Sequence, residues 1–300
     1  MGRTALVTGA SSGFGRMIAT DLAAAGLTVY ASMRKTDGKN EAAVSEIAEE
    51  ARRRAIDLRT IELDVQDEPS IAAAIETIIA EHGRLDVLVH NAGHMVWGPL
   101  EAFTPEQLAE LYDINVLGTQ RVNRAALPHM RAARSGLLVW ISSSSVMGGI
   151  PPLLGPYFAA KAGMDQLAVC YARELAPFGI ETAIVVPGAF TKGTNHFLHA
   201  GQPADEDRAA AYAQGWPEGF AKDMQRALAA TDPPDSDPGE IGRRVVKIVK
   251  APPGTRPFRS VIDPASDGSA VTFPIVDRIR EQFLDRIGFG GLRRPAGLSD

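Results

Sequence analysis

The feature that binds this chain most tightly to one architecture is a glycine-rich turn near its start. The apolar, β-forming run Arg3–Thr8 leads straight into Gly9-Ala10-Ser11-Ser12-Gly13-Phe14-Gly15, and an alanine- and leucine-rich helical stretch succeeds it. In the order strand, turn, helix, glycines have separate tasks. They open backbone conformations closed to other residues, let the main chain approach a pyrophosphate, and leave the helix start free to aim its N–H groups at the anion. The spacing is Gly-x-x-x-Gly-x-Gly instead of the commoner Gly-x-Gly-x-x-Gly. Alone, such a turn is equally a plain tight βα connection, so its meaning depends on the rest of the chain.

Downstream of the turn the same unit repeats. Apolar runs at Thr28–Met33, Thr60–Val65, Leu85–Asn91, Leu137–Ser142 and Glu181–Val186 alternate with helical patterns, and Arg259–Ile262 reads as a last strand. Such βα repeats predict a parallel sheet covered by helices on both faces, the doubly wound α/β class or Rossmann fold. Right-handed crossovers then bring the loops at the strand C-termini to one edge, where ligands bind. No low-complexity linker divides the 300 residues, so 1–300 reads as a single domain. The net charge of −5 leaves no basic footprint for nucleic acid. No apolar stretch reaches membrane-spanning length and the chain enters its first strand without room for a signal peptide, so a cytoplasmic protein with no membrane partner is expected. Cys170, the only cysteine, is expected on the apolar face of its helix as a buried structural thiol.

Chemistry concentrates in Gly-Pro-Tyr-Phe-Ala-Ala-Lys, where Tyr157 and Lys161 stand four residues apart downstream of the serines Ser142 to Ser145. On a helix, that spacing puts a phenol and an ammonium on one face. Unit charges about 4 Å apart at an effective dielectric near 20 interact by roughly 4 kcal/mol, enough to lower a phenol by about two pKa units. Tyr157 thereby becomes a candidate general acid and base. A lone Tyr-x-x-x-Lys pair arises by chance on many helices, and its weight comes from its companions.

The glycine turn, Asn91-Ala92-Gly93 after a strand, Asn115 within Ile-Asn-Val-Leu-Gly, the serine run, Tyr157-x-x-x-Lys161 and Pro187-Gly188 occur in one order between Arg3 and Phe190. Together they resemble the classical short-chain dehydrogenases/reductases. The resemblance implies hydride transfer between a nicotinamide dinucleotide and a secondary alcohol or its ketone or aldehyde. Tyr157 would exchange the proton, Lys161 would lower the tyrosine pKa and bond the nicotinamide ribose, and Asn115 would support a water-linked proton relay. A serine would stabilise charge on the substrate oxygen. The family's thirteen-residue step back from the tyrosine selects Ser144, and an extra residue in the loop through Gly148, Gly149 and Pro151 would select Ser143 instead.

For the dinucleotide, the resemblance implies Gly9, Ser11, Ser12, Gly13, Phe14 and Gly15 at the pyrophosphate turn, Asp64 and Val65 at the adenine, and Asn91, Ala92 and Gly93 beside its ribose. Pro187 and Gly188 would lie at the nicotinamide. The family's threonine five residues after that proline is replaced here by Lys192, leaving Thr191 as the nearest substitute. The end of the second strand, Val29-Tyr30-Ala31-Ser32-Met33-Arg34-Lys35, lacks the acid that NAD enzymes use to bond the ribose hydroxyls. Arg34, with Ser32, is suited to a 2′-phosphate, so NADP(H) is favoured and NAD(H) is the alternative. The helices around Pro105–Arg134 and Tyr157–Phe178 commonly meet a second subunit in the family, which implies a homodimer or homotetramer.

From Thr191 to Asp237 the composition turns small, polar and proline-punctuated, with a helical stretch near Asp205–Gln214. Residues 191–237 are read as a substrate lid whose Phe190, Phe197, Leu198, Trp216 and Phe220 face a small, largely apolar carbonyl or alcohol; a plain surface insertion is the alternative. Ile241–Val249 and Phe273–Ile287 look helical, and the tail 288–300 is either loosely ordered or docked on a neighbouring subunit. His196 and His199 lack an acidic companion at metal spacing, so no metal is expected. His90 and His94 flank the Asn-Ala-Gly turn as structural residues, with His94 at the border of the site. The competing function is a non-catalytic dinucleotide sensor on the same fold, against which the joint presence of serine, tyrosine, lysine and asparagine argues.

Overall fold

The computed structural model describes residues 2–190 and 199–297. Seven strands lie in one parallel sheet: β1 (Thr4–Val7), β2 (Thr28–Met33), β3 (Leu58–Glu62), β4 (Val87–His90), β5 (Gly136–Ile141), β6 (Ile180–Pro187) and β7 (Arg259–Ile262). Their order is β3-β2-β1-β4-β5-β6-β7, so the direction of winding reverses between β1 and β4. A crevice opens at such a reversal beyond the strand C-termini.

Alternation along the strands divides the core in two. Leu6, Leu88, Leu138 and Ile184 face helices α3 (Glu68–His82), α5 (Gly118–Ala133) and α6 (Gly155–Leu175), together with Phe273 of α10 (Ser269–Arg286). Their neighbours Val7, Val89, Val139 and Val185 face α1 (Gly13–Ala24), α2 (Glu41–Arg54) and α9 (Gly239–Lys250). Strands covered on both faces have no polar side, which is why they read as unbroken apolar runs.

Several expectations shift. β3 runs from Leu58 to Glu62, not Thr60 to Val65, because Asp64 leaves the sheet to shape the turn before α3: its N–H donates to Ser70 Oγ (3.1 Å) and its carboxylate accepts from the Gln66 N–H (3.1 Å). The long helix expected around Pro105–Arg134 is three pieces: α4 (Pro105–Tyr112), a π-helical turn over Asp113–Leu117, and α5. A reciprocal Thr104–Gln107 capping box starts α4. Among the described residues, two helices lie between β6 and α9, α7 (Glu206–Gly215) and α8 (Phe220–Thr231), the second of which composition had hidden. Cys170 is exposed, contrary to the buried thiol expected, because Lys161, Met164, Asp165 and Ala168 define the inner face of α6 and Cys170 lies off it beside Gln166. The tail is docked within its own chain as far as Ala296, whose N–H donates to the Ala176 carbonyl (2.7 Å).

Candidate active site

The N-terminal turn is held by side chains that close backbone bonds across β1 and β4. Thr8 Oγ1 donates to the Val89 carbonyl and accepts from the N–H groups of Asn91 and Ala92 (both 3.0 Å). Asn91 Nδ2 then donates to the carbonyls of Thr8 (2.9 Å) and Gly9 (3.0 Å). Gly9 takes a positive φ of 66°, and a Cβ there would sit 2.7 Å from Ala92 Cα. A Cβ on Gly15 would lie 2.4 Å from both Asn91 Nδ2 and the Gly9 carbonyl. The glycines therefore let the turn lie directly on the Asn91–Gly93 segment, which is the cradle a pyrophosphate needs at the start of α1.

Beyond this cradle runs a groove of about 540 Å³, lined by every cofactor residue expected between Gly9 and Gly93, with Arg34, Asp64 and Val65 included and Ser32 excepted, and by Lys39 besides. Ser32 is absent from it: the residue is fully buried and its carbonyl accepts from the Ala10 N–H. The turn after β2 is shaped by Glu62, whose carboxylate takes the N–H groups of Lys35 and Thr36 (2.7 Å each). Arg34 and Lys39 then supply two cations at the groove, a pair of which only Arg34 is readable from the sequence. The residues thus fit a nicotinamide dinucleotide with an extra phosphate better than one without.

A second cavity of about 300 Å³ adjoins the groove, shares Phe14, Asn91, Gly93, His94 and Met95 with it, and is largely apolar. Tyr157, Lys161, Ser143, Ser144, Pro187 and Gly188 all line it, as does Phe190, whose ring meets Phe14 edge-on at 5.8 Å. Thr191, Phe197 and Leu198 lie outside the described residues. Leu228 and Thr231 of α8 close one side. Trp216, Phe220, Met224 and Leu228 pack on Met95, Trp97, Leu153 and Leu154.

At the centre, Ser143 stands near enough to Tyr157 to favour its phenolate, although its Oγ is paired with Ser145 Oγ (2.8 Å), while Ser144 faces the Asp267 carboxylate. Both serines left open by the thirteen-residue step line the cavity. Gly148 presses so closely on Asp267 that a Cβ would sit 2.4 Å from its carboxylate. Burial pushes the Tyr157 phenol up to about 12, which the nearby Ser143 hydroxyl only partly offsets. The Lys161 ammonium donates to the Ile141 carbonyl (2.8 Å) and lies 6.0 Å from the phenol ring centre. Burial takes Lys161 itself down to about 8, with the charge of Asp165 working against that fall.

Asn115 occupies the π-helical turn and is fully engaged. Its Nδ2 donates to the carbonyls of His94 (3.0 Å) and Leu111 (3.1 Å), and its Oδ1 accepts from the His94 N–H (2.9 Å). Gly93 must be glycine beside it, since a Cβ would stand 2.5 Å from Asn115 Oδ1. Asn115 thus ties the wall of the groove to the helix bearing it, a use of a π-turn at a functional edge. His90 is buried and bonded to Asn123 (2.8 Å), whereas His94 lines both cavities.

Comparison with known proteins decides the family. Residues 3–202 match the family described as short chain dehydrogenase. The chain is a short-chain dehydrogenase. It is 33% identical over 267 residues to the 3-ketodihydrosphingosine reductase of Bacteroides thetaiotaomicron, covering 86% of this chain and 87% of that one. A short-chain dehydrogenase from Streptomyces avermitilis superposes with a TM-score of 0.72 at 32% identity, over 97% of this chain and 99% of that one. A variant of the actinorhodin polyketide ketoreductase solved with NADPH gives a TM-score of 0.71 at 25% identity, over 89% and 98%. The dehydrogenase is accordingly an NAD(P)-dependent oxidoreductase that interconverts carbonyl and alcohol groups of a small-molecule substrate. Among the described residues, no three His, Cys, Asp or Glu side chains gather as a metal site, and no helix is long and apolar enough to cross a membrane.

Proposed function

We propose that this dehydrogenase uses NADP(H) to interconvert a ketone and a secondary alcohol on a medium-sized, apolar molecule, with Tyr157 as the general acid and base. The observation that carries the reading is the meeting of Ser143, Tyr157 and Lys161 on one wall of an apolar cavity that opens into a groove rimmed by Arg34 and Lys39. Bound in that groove, the nicotinamide dinucleotide supplies or takes the hydride. In reduction, Tyr157 gives its proton to the nascent alkoxide, and Ser143 donates a hydrogen bond to the same oxygen as charge builds there. Lys161 carries the positive charge that supports the tyrosinate left behind. The preference for NADP(H) is supported by the two cations and the missing acid after β2, and by the NADPH held in the polyketide ketoreductase.

The lid assignment for 191–237 is supported by α8, which forms a wall of the substrate cavity through Leu228 and Thr231. An apolar substrate accords with that wall, and the Bacteroides relative is named for 3-ketodihydrosphingosine. Association into a homodimer or homotetramer is supported by exposed apolar residues on the two expected helical regions, Leu108, Tyr112, Leu117 and Phe178, and by the row Val271, Ile275, Ile279 and Phe283 along α10. The test is direct. Purified protein should oxidise NADPH in the presence of apolar ketones, followed at the reduced-nicotinamide absorbance, and NADH should serve at least about tenfold less well in kcat/KM. Tight NADPH binding with no turnover across a broad panel of ketones and secondary alcohols would support the non-catalytic sensor instead.

A further inference from the structure

Behind the proposed catalytic wall lies a buried charge cluster that hydride transfer does not itself use. Asp165 stands on α6 one helical turn after Lys161 and is 2% exposed. Its carboxylate accepts from Ser142 Oγ (2.6 Å) and from both terminal nitrogens of Arg259 (2.7 and 3.1 Å). Arg259, on edge strand β7, turns its remaining N–H groups to Asp277 of α10 (2.6 and 3.3 Å) and lies 4.1 Å over the Phe273 ring. The order along the chain of contacts is Ser142, Asp165, Arg259, Asp277.

We propose that Asp165 is a positioning residue for the reaction: it supplies the counter-charge of Lys161 and, through Ser142, holds the strand end that presents Ser143 to Tyr157. The inference rests on the roles given above to Tyr157, Lys161 and Ser143. Arg259 is the lock, since a planar guanidinium gripped by two carboxylates fixes the direction of each. A buried ion pair of this kind is weak evidence for stability, because hydrophobic replacements often serve as well, so its place at the active site calls for another reason. That reason is Lys161, an ammonium out of water whose charge must persist for a tyrosinate to be supported.

Among the described residues, the charged and titratable groups facing Lys161 come from several elements. Tyr157 and Asp165 share its helix, and Arg259 of β7 and Asp277 of α10 stand behind Asp165. His94 after β4 and Asp267 after β7 line the same cavity, while the end of β5 offers the Ile141 carbonyl and serine hydroxyls. Asp165 acts against burial in keeping the Lys161 proton. Removing its charge therefore moves the lysine's titration to lower pH, and the form that supports reduction is lost earlier as pH rises.

The test compares Asp165→Asn and Ser142→Ala with the full-length enzyme in NADPH-dependent ketone reduction across pH. An amide cannot accept from both Ser142 and a two-pronged guanidinium, so Asp165→Asn should lower kcat about tenfold or more, with KM for NADPH within about threefold. The alkaline limb of its kcat profile should move down by roughly half a unit or more. Ser142→Ala keeps the charge and should lower kcat without moving that limb. A folded Asp165→Asn enzyme with wild-type kcat and pH profile overturns the proposal. Should that variant fail to fold, wild-type kcat in Ser142→Ala overturns it. Tyr157→Phe in the same series separates the two levels: an active Tyr157→Phe enzyme sinks the site assignment itself, whereas an inactive one beside a normal Asp165→Asn sinks only the role of Asp165.

Discussion

Ser143 and Ser144 are adjacent hydroxyls that both line the substrate cavity. They stand on the same strand end, with Ser143 near Tyr157 and Ser144 facing Asp267. Counting back from the tyrosine selects Ser144, whereas nearness to Tyr157 points to Ser143. Ser143→Ala should therefore cost about 10²–10³ in kcat, the scale of a lost oxyanion donor. Ser144→Ala should stay within about tenfold, and steady-state kinetics on the two variants reads the difference; the reverse order would restore Ser144. Tyr157→Phe should abolish turnover while NADPH affinity stays near wild type, since only a hydroxyl is removed. Arg34 was legible as the first cation after β2, whereas Lys39 was not, because its approach to the groove depends on the turn that Glu62 ties through Lys35 and Thr36. Arg34→Asp should shift the NADPH-to-NADH ratio of kcat/KM by one to two decades, the equivalent of about 1.5–3 kcal/mol. A wild-type enzyme that prefers NADH would defeat this reading of the rim.

Elements built from local pattern were readable, and elements set by tertiary contact were not. Strands sandwiched between helices are apolar throughout, and β1, β2, β4, β5, β6 and β7 stand close to where their runs lie. β3 was misplaced because Leu63 and Val65 are buried after the chain has left the sheet, so burial outlasted the strand. The π-turn at Asp113–Leu117 leaves no trace in periodicity, since Asn115 draws its helix toward the His94 backbone across space. α8 was hidden for a different reason: Phe220, Met224 and Leu228 keep a helical period, but prolines and glycines flank them and composition outweighed spacing. At the N-terminal turn the local and tertiary requirements can be separated by experiment. Gly13 has a positive φ of 56° and open space where a Cβ would be, so Gly13→Ala should cost about 1–2 kcal/mol from backbone strain alone. Gly15→Ala drives a Cβ into Asn91 and Gly9, and should cost about 1–3 kcal/mol or more by overpacking while weakening NADPH binding as well. Urea unfolding and NADPH titration measure both; equal loss of affinity in the two variants would show that the turn is not held by its contact with Asn91.

For the molecule as a whole, the substrate cavity is a boundary between two kinds of structure. One side is the sheet edge, where β4, β5 and β6 deliver Asn91, Ser143 and Gly188 on strands buried from both faces. The other is α7 and α8, in which no residue is fully buried; their apolar hold on the body runs through Trp216, Phe220, Met224 and Leu228 on a small separate cluster, and Tyr212 adds a bond to Glu101 (3.1 Å). Few buried contacts and exposed backbone hydrogen bonds place such a segment at the low end of local stability. Met95 and Leu154 belong to that cluster and also line the cavity, so an apolar substrate that touches them adds contacts to the very surface on which α8 rests. Residues 205–231 should therefore exchange amide hydrogens faster than the sheet in the free enzyme and slow markedly in the ternary complex, with water driven from the hydride path as the helices settle. Cofactor alone should protect the glycine turn and the Asn91–Gly93 segment and leave α8 largely unchanged, because Leu228 and Thr231 line the substrate cavity and not the groove. Hydrogen exchange on the free, binary and ternary states resolves the three cases. Equal protection of α8 in all of them would mean that its aromatic residues pin a static insertion, and the lid would be withdrawn.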